Sequence, residues 1–286
     1  MEKKLRIAIQ SKGRLSEKSL DIIEKCGINF ANDPRVLKEE AFNFPLEFLF
    51  VRDDDIPGYV NSGIADVGIV GRNEFDEKQI PLEVIRDLGF AKCRLSVAVP
   101  SGFNYTDLRD LEGLRIATSY PNILDTVLKA NGVNASYVNV SGSVEVTPAI
   151  GVADAICDLV STGTTLKMNG LKEVESIYRS SAIMIMNSKI DSERKAILDR
   201  LLLRIDSVIR AKSYKYVMFN LPEEHIREAA KIVGGMKSPT ITKLFDSDWV
   251  SVQTVVAEDV FWNVFEQLKE LGAQGILVTS IEKMTE

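Results

Sequence analysis

Leu5-Arg6-Ile7-Ala8, followed by the polar stretch Gln10-Ser11-Lys12-Gly13-Arg14, decides the fold because the design comes twice. The first copy opens as a strand and passes into a helical pattern (Leu20, Ile22, Ile23) that ends near Gly27. Leu114-Arg115-Ile116-Ala117 repeats it. A polar break, Thr118-Ser119-Tyr120-Pro121-Asn122, and a helix (Leu124, Val127, Leu128) ending at Gly132 follow. A second echo pairs Gly63-Ile64-Ala65-Asp66-Val67 with Gly151-Val152-Ala153-Asp154-Ala155. In each copy a helix ends at glycine and a buried strand starts after the aspartate. The two spacings differ, which excludes a solenoid and predicts two similar βα lobes with different loops.

Strands alternating with helical patterns indicate parallel-rich α/β sheets, whose ligands gather beyond the carboxyl ends of the strands. That rule places residues 10–14, 71–73, 118–121 and 161–165 around one cleft between the lobes. Arg94-Leu95-Ser96-Val97-Ala98-Val99-Pro100 is expected to cross into the second lobe, and Ile183-Met184-Ile185-Met186 to cross back. Residues 191–210 place apolar side chains at helical spacing, as an amphipathic helix expected to pack on the first lobe. From about residue 213 the order becomes βαββαβ, a ferredoxin-like module. The domains read as 1–93 with 184–212, 94–183, and 213–286.

The 286 residues suffice for two or three domains, and 45% hydrophobic with 27% charged residues is a globular composition. No apolar run is long enough to span a bilayer and no signal segment opens the chain, so a cytoplasmic protein without a membrane partner is expected. A net charge of −6 disfavours nucleic acid as a partner. The three cysteines, Cys26, Cys93 and Cys157, are far apart and read as reduced thiols. His225 is the only histidine, which excludes catalytic triads and histidine-based metal mechanisms.

Chemistry concentrates in Asp154-Ala155-Ile156-Cys157-Asp158-Leu159-Val160-Ser161-Thr162-Gly163-Thr164-Thr165-Leu166. A buried strand with two acids runs into a turn of four hydroxyl residues and a glycine. Hydroxyls and helix-start N–H groups suit a phosphate monoester, and Gly163 admits a close backbone approach. Asp154 and Asp158 could accept hydrogen bonds from a ribose diol. The same segment also reads as a Ser/Thr-rich helix cap. Lys12 and Arg14, flanking Gly13, are partners for a second anionic group, or two solvated charges. Arg94 and Arg72 are further cations, and Tyr120 could stack on a base or simply pack. Asp53-Asp54-Asp55 before Pro57 resembles a metal cluster but is expected to cap a helix.

At these residues the chain resembles the ATP phosphoribosyltransferase family, in its long form. Glu145-Val146-Thr147-Pro148-Ala149-Ile150-Gly151 with residues 154–166 carries the likeness. Arg52-Asp53-Asp54-Asp55-Ile56-Pro57-Gly58, Cys93-Arg94-Leu95-Ser96, residues 115–121 and Ile281-Glu282-Lys283-Met284 extend it over the whole chain. The resemblance implies a two-lobed periplasmic-binding-protein-like catalytic unit with a C-terminal ferredoxin-like (ACT-like) regulatory domain. It implies transfer of the 5-phosphoribosyl group of PRPP to N1 of ATP, with Mg2+, in a homo-oligomer (dimer or hexamer) inhibited by histidine. By that likeness Asp154, Asp158, Ser161, Thr162, Gly163, Thr164 and Thr165 hold PRPP. Lys12, Arg14 and Arg94 serve catalysis, and Gly13, Tyr120 and Glu145 contact the nucleotide. Asn220, Ser238, Pro239, Thr240 and Gly275 hold the inhibitor, and no metal has dedicated protein ligands. Prephenate dehydratase and a binding-only solute receptor or regulator effector domain share the two-lobe plan and remain rivals at this level.

Overall fold

A computed structural model describes residues 3–31, 33, 36–234 and 237–285. They form two compact units, residues 1–21 with 28–197 and residues 22–27 with 198–286. Within the first unit β1 (Leu5–Gln10) leads into α1 (Arg14–Lys25), which continues into the second unit. β2 (Lys38–Glu40), β3 (Leu46–Val51), α2 (Ile56–Asn61), β4 (Val67–Gly71), α3 (Arg72–Lys78) and β5 (Glu83–Asp87) follow. Then come β6 (Cys93–Pro100), β7 (Arg115–Thr118), α4 (Pro121–Ala130), β8 (Ser136–Asn139), β9 (Ala155–Val160) and α5 (Thr164–Met168). β10 (Leu171–Ser180) and β11 (Ala182–Met186) complete two sheets, ordered β2-β3-β1-β4-β11-β5 and β10-β6-β9-β7-β8.

The duplication is visible strand by strand. β1 lies parallel between β3 and β4, and β11 joins β4 antiparallel. β7 lies parallel between β8 and β9, and β6 joins β9 antiparallel. The fourth strand of each set is contributed by the opposite half of the chain, so β6 and β11 are the expected crossings. Each sheet is braced alike at its lower edge. Arg6 Nη2 and Nε donate to Asp66 at 2.9 and 3.2 Å, and Arg115 Nη2 and Nε donate to Asp154 at 2.8 and 3.1 Å. Strands buried on both faces read as unbroken apolar runs, hence Val67-Gly68-Ile69-Val70 in β4. Gly68 is required there, since a Cβ would stand 2.6 Å from Ile56 Cγ2 of α2.

α6 (Ser192–Ala211) passes from the first unit into the second. There β12 (Tyr214–Pro222), α7 (Ile226–Val233), β13 (Thr240–Lys243), β14 (Trp249–Ala257), α8 (Phe261–Glu270) and β15 (Gln274–Ser280) form a βαββαβ module. Its antiparallel sheet is ordered β13-β14-β12-β15, the ferredoxin-like order. Phe219, Val252, Val256 and Leu268 fill its core. Alternate residues of β12 and β14 therefore point to an open face, where Met218 lies across from Gln253 and Asn220 from Ser251.

Candidate functional site

Three strand ends build the site. β9 delivers Val160 into the turn Ser161-Thr162-Gly163, and α5 begins at Thr164. Gly163 takes a left-handed φ of 76°, the conformation glycine adopts most cheaply. Leu166 is buried with Ile156, Val160, Leu171 and Ala98, which seats α5 on the sheet, while Ser161, Thr162, Thr164 and Thr165 stay exposed. Thr162 Oγ1 and Thr164 Oγ1 lie 3.1 Å apart. The turn borders a cavity of about 290 Å3 together with Glu145, Asp158 and Leu159. Burial pushes the Asp158 carboxyl up, the Leu159 N–H bonded to it at 2.7 Å pulls it down, and nearby Glu145 pushes it up again.

Arg94 borders the turn from β6, where it pairs with Val160 on one side and Arg179 on the other. Its fork meets Glu173, Nε to Oε1 at 2.5 Å and Nη2 to Oε2 at 2.6 Å, and Nη1 donates to the Ser161 carbonyl at 3.2 Å. Arg94, Arg72, Lys92 and Arg179 line a second cavity of about 590 Å3 with Ser161 and Asp87. Ser181 Oγ donates to both Asp87 oxygens at 3.0 and 2.9 Å, which fixes that carboxylate among the cations.

A third cavity, of about 640 Å3, is lined from both sheets: Arg52, Asp54, Glu74 and Glu77 on one side, Tyr120, Asn122, Asn139 and Gly142 on the other. Tyr120 Oη donates to Glu74 Oε1 at 2.6 Å and accepts from Asn73 Nδ2 at 3.1 Å. Glu77 Oε1 and Oε2 accept the N–H groups of Asn122 and Ile123 at 2.9 and 3.0 Å, so α3 of one lobe caps α4 of the other. Lys12, Gly13 and Arg14 follow β1, between the ends of β3 and β4, and all three are exposed.

Several expectations need correction. Asp154 stands at the start of β9, the end opposite the hydroxyl turn, and both its oxygens are spent on Arg115. It cannot hold a ribose gripped at that turn. Tyr120 is 7% exposed, in one core with Leu124, Leu128 and Cys157, and it packs there with its hydroxyl held by Glu74 and Asn73. Arg94 is not a free cation, because Glu173 holds its fork. Asp55 precedes α2 at the capping position, but no side-chain bond caps that helix. Asp53 instead accepts its neighbour's N–H at 3.1 Å, and Asp54 pairs with Arg52. Glu74, Glu77 and Glu173 carried no signal, since Tyr120, the start of α4 and Arg94 reach them only across lobes or strands. Among the residues expected to hold the inhibitor, Asn220 and Gly275 adjoin, a Cβ on Gly275 standing 3.5 Å from Asn220 Nδ2. Thr240 opens β13 and pairs with Gln253, which puts it on the same open face as Asn220, while Ser238 and Pro239 lead into that strand.

Residues 52–207 match the family described as HisG: ATP phosphoribosyltransferase, and residues 211–283 match the HisG C-terminal domain. The chain belongs to the ATP phosphoribosyltransferase family. It is 51% identical over 280 residues to the ATP phosphoribosyltransferase of Cytophaga hutchinsonii, covering 98% of each chain. The corresponding protein of Bacteroides fragilis is 50% identical over 98% of this chain and 99% of its own. Among solved structures, the ATP phosphoribosyl transferase (HisG:HisZ) complex from Thermotoga maritima superposes with a TM-score of 0.63 at 28% identity, covering 73% of this chain and 99% of that one. The long-form plan, two lobes followed by a ferredoxin-like module, matches this membership. The dehydratase and receptor readings fall away.

Proposed function

We propose that the chain transfers the 5-phosphoribosyl group of PRPP to N1 of ATP, the committing step of histidine biosynthesis, by the following division of labour. The hydroxyls and N–H groups of residues 161–165 bind the 5-phosphate. Asp158 accepts hydrogen bonds from the ribose diol in the adjoining cavity, and Glu145, expected at the nucleotide, borders that cavity and joins it there. Lys12 and Arg14, with the Gly13 backbone between them, stabilise the charge that grows on pyrophosphate as the anomeric C–O bond breaks. Adenine N1 supplies its own lone pair to the new C–N bond, so no imidazole is needed. The basic cavity of Arg72, Lys92 and Arg179 suits the nucleotide's triphosphate. The lobes, bounded at residues 1–93 with 184–212 and at 94–183, exclude competing water when closed on both substrates.

The observation that carries this reading is the exposed hydroxyl turn at Gly163, set beside Asp158 and Glu145. Among the described residues no group of three His, Cys, Asp or Glu side chains is placed to hold a metal. Mg2+ fits as a companion of the substrate phosphates, and no step above passes through it. The module at 213–286 is read as the regulatory domain, with histidine on the open face near Asn220, Thr240 and Gly275. Homo-oligomers fit the apolar side chains exposed there, and three unpaired thiols fit the cytoplasm. No helix among the described residues is long and apolar enough to cross a membrane.

Incubation with ATP, PRPP and Mg2+ tests the reading. Pyrophosphate and the ultraviolet change of an N1-substituted adenine are expected together, and absence of both overturns it. Lys12→Ala or Arg14→Ala is expected to lower kcat by roughly 100-fold with Tm nearly unchanged. A parallel loss of Tm and activity would make both residues structural.

A further inference from the structure

The pairing of β10 with β6 is irregular between Glu173 and Glu175. Such bulges re-aim side chains beside functional sites. Glu173 accepts three hydrogen bonds there: two from the Arg94 fork at 2.5 and 2.6 Å, and one from the hydroxyl of fully buried Ser96 at 2.8 Å. A Cβ on Gly163 would lie 4.0 Å from Glu173 Oε2, so the carboxylate stands directly under the hydroxyl turn. A bare anion under an anion grip has the wrong sign. Here Arg94 neutralises it and holds its carboxyl below the usual range, with Ser96 helping. What reaches the turn is an N–H of Nη1, donated to the Ser161 carbonyl at 3.2 Å. In a trans peptide the next N–H points opposite the carbonyl. Pinning the Ser161 carbonyl therefore fixes the direction of the Thr162 N–H.

We propose that Glu173 is a positioning residue for the phosphoribosyl donor: it clamps Arg94 onto the Ser161 carbonyl and so holds the turn ready for the 5-phosphate. This rests on the reading of residues 161–165 as the phosphate grip. Glu173 need not touch substrate, and Arg94 is the hand through which it acts.

Steady-state kinetics and PRPP calorimetry on the full chain separate the possibilities. Glu173→Gln keeps the shape and removes the charge. It is expected to raise KM and Kd for PRPP roughly tenfold, leaving KM for ATP and Tm near their starting values. In an Arg94→Ala background the same substitution is expected to add less than about twofold, because the two act in series. Thr162→Ala probes the turn itself. If it weakens PRPP binding while Glu173→Gln does not, or while Glu173→Gln raises both KM values alike, the grip stands and the clamp is wrong. If Thr162→Ala leaves PRPP binding intact, the grip is elsewhere and the proposal falls with it.

Discussion

Arg6–Asp66 and Arg115–Asp154 are the same device in two copies, and their surroundings give them different weights. The Asp66 side chain is 6% exposed and that of Asp154 is 39% exposed. Removing one partner of a buried pair strands a charge, whereas water compensates at the exposed one. Asp66→Ala should cost about 3 kcal/mol and Asp154→Ala about 1 kcal/mol in urea unfolding. Arg115 also holds the Asp154 carboxyl down at about 2, against its ordinary 3.8. A depressed carboxyl stabilises the fold above its unfolded value and loses that contribution as pH falls toward the folded one. An Asp154→Asn variant should therefore show a flatter loss of Tm between about pH 4 and pH 2. An unchanged acid limb would mean the bridge contributes nothing there. Neither partner's identity was hidden: the Arg and the Asp stand in both echoes of the sequence. Their pairing was not legible, because it joins positions 60 and 39 residues apart.

Among the elements, α4 shows how a helix start can be claimed by its own protein. Its N-terminus looks like an anion site in sequence, with a polar break and Pro121 at the start. Buried Glu77 occupies it instead, taking two N–H groups from across the lobes. The turn after β9, proposed above as the phosphate grip, keeps its hydroxyls exposed, and among the described residues no acid is bonded to them. Glu77→Ala should cost about 2 kcal/mol, by opening two N–H groups and the contact between α3 and α4. Amide exchange checks it: Asn122 and Ile123 should lose protection while Leu128 keeps its own. Retained protection at both would show that another group caps α4. Hydrophobic periodicity made α4, α6 and the βαββαβ order readable. It carried no hint of Glu77, whose spacing in α3 is that of any partly exposed helix.

For the whole molecule, the C-terminal module leaves large apolar groups in water. Phe245 is 99% exposed, Trp262 69% and Leu277 56%. Exposed aromatics of this size mark contact surfaces. Phe245→Ser with Trp262→Lys should lower the mass seen by light scattering, with far-ultraviolet circular dichroism unchanged. Equal masses would show that these side chains hold no contact between copies. Local pattern alone determined the two βα lobes, the crossing strands, the ferredoxin-like tail and the hydroxyl turn, since each is a matter of period and of residue type within a few positions. Tertiary structure decided which charges remain available. It paired Asp154 with Arg115, sank Tyr120 into a core, turned Arg94 into a brace and set Glu173 beneath Gly163. A charge is neutralised by whatever the fold brings within about 3 Å, and that distance is a property of the folded chain, not of neighbours along it.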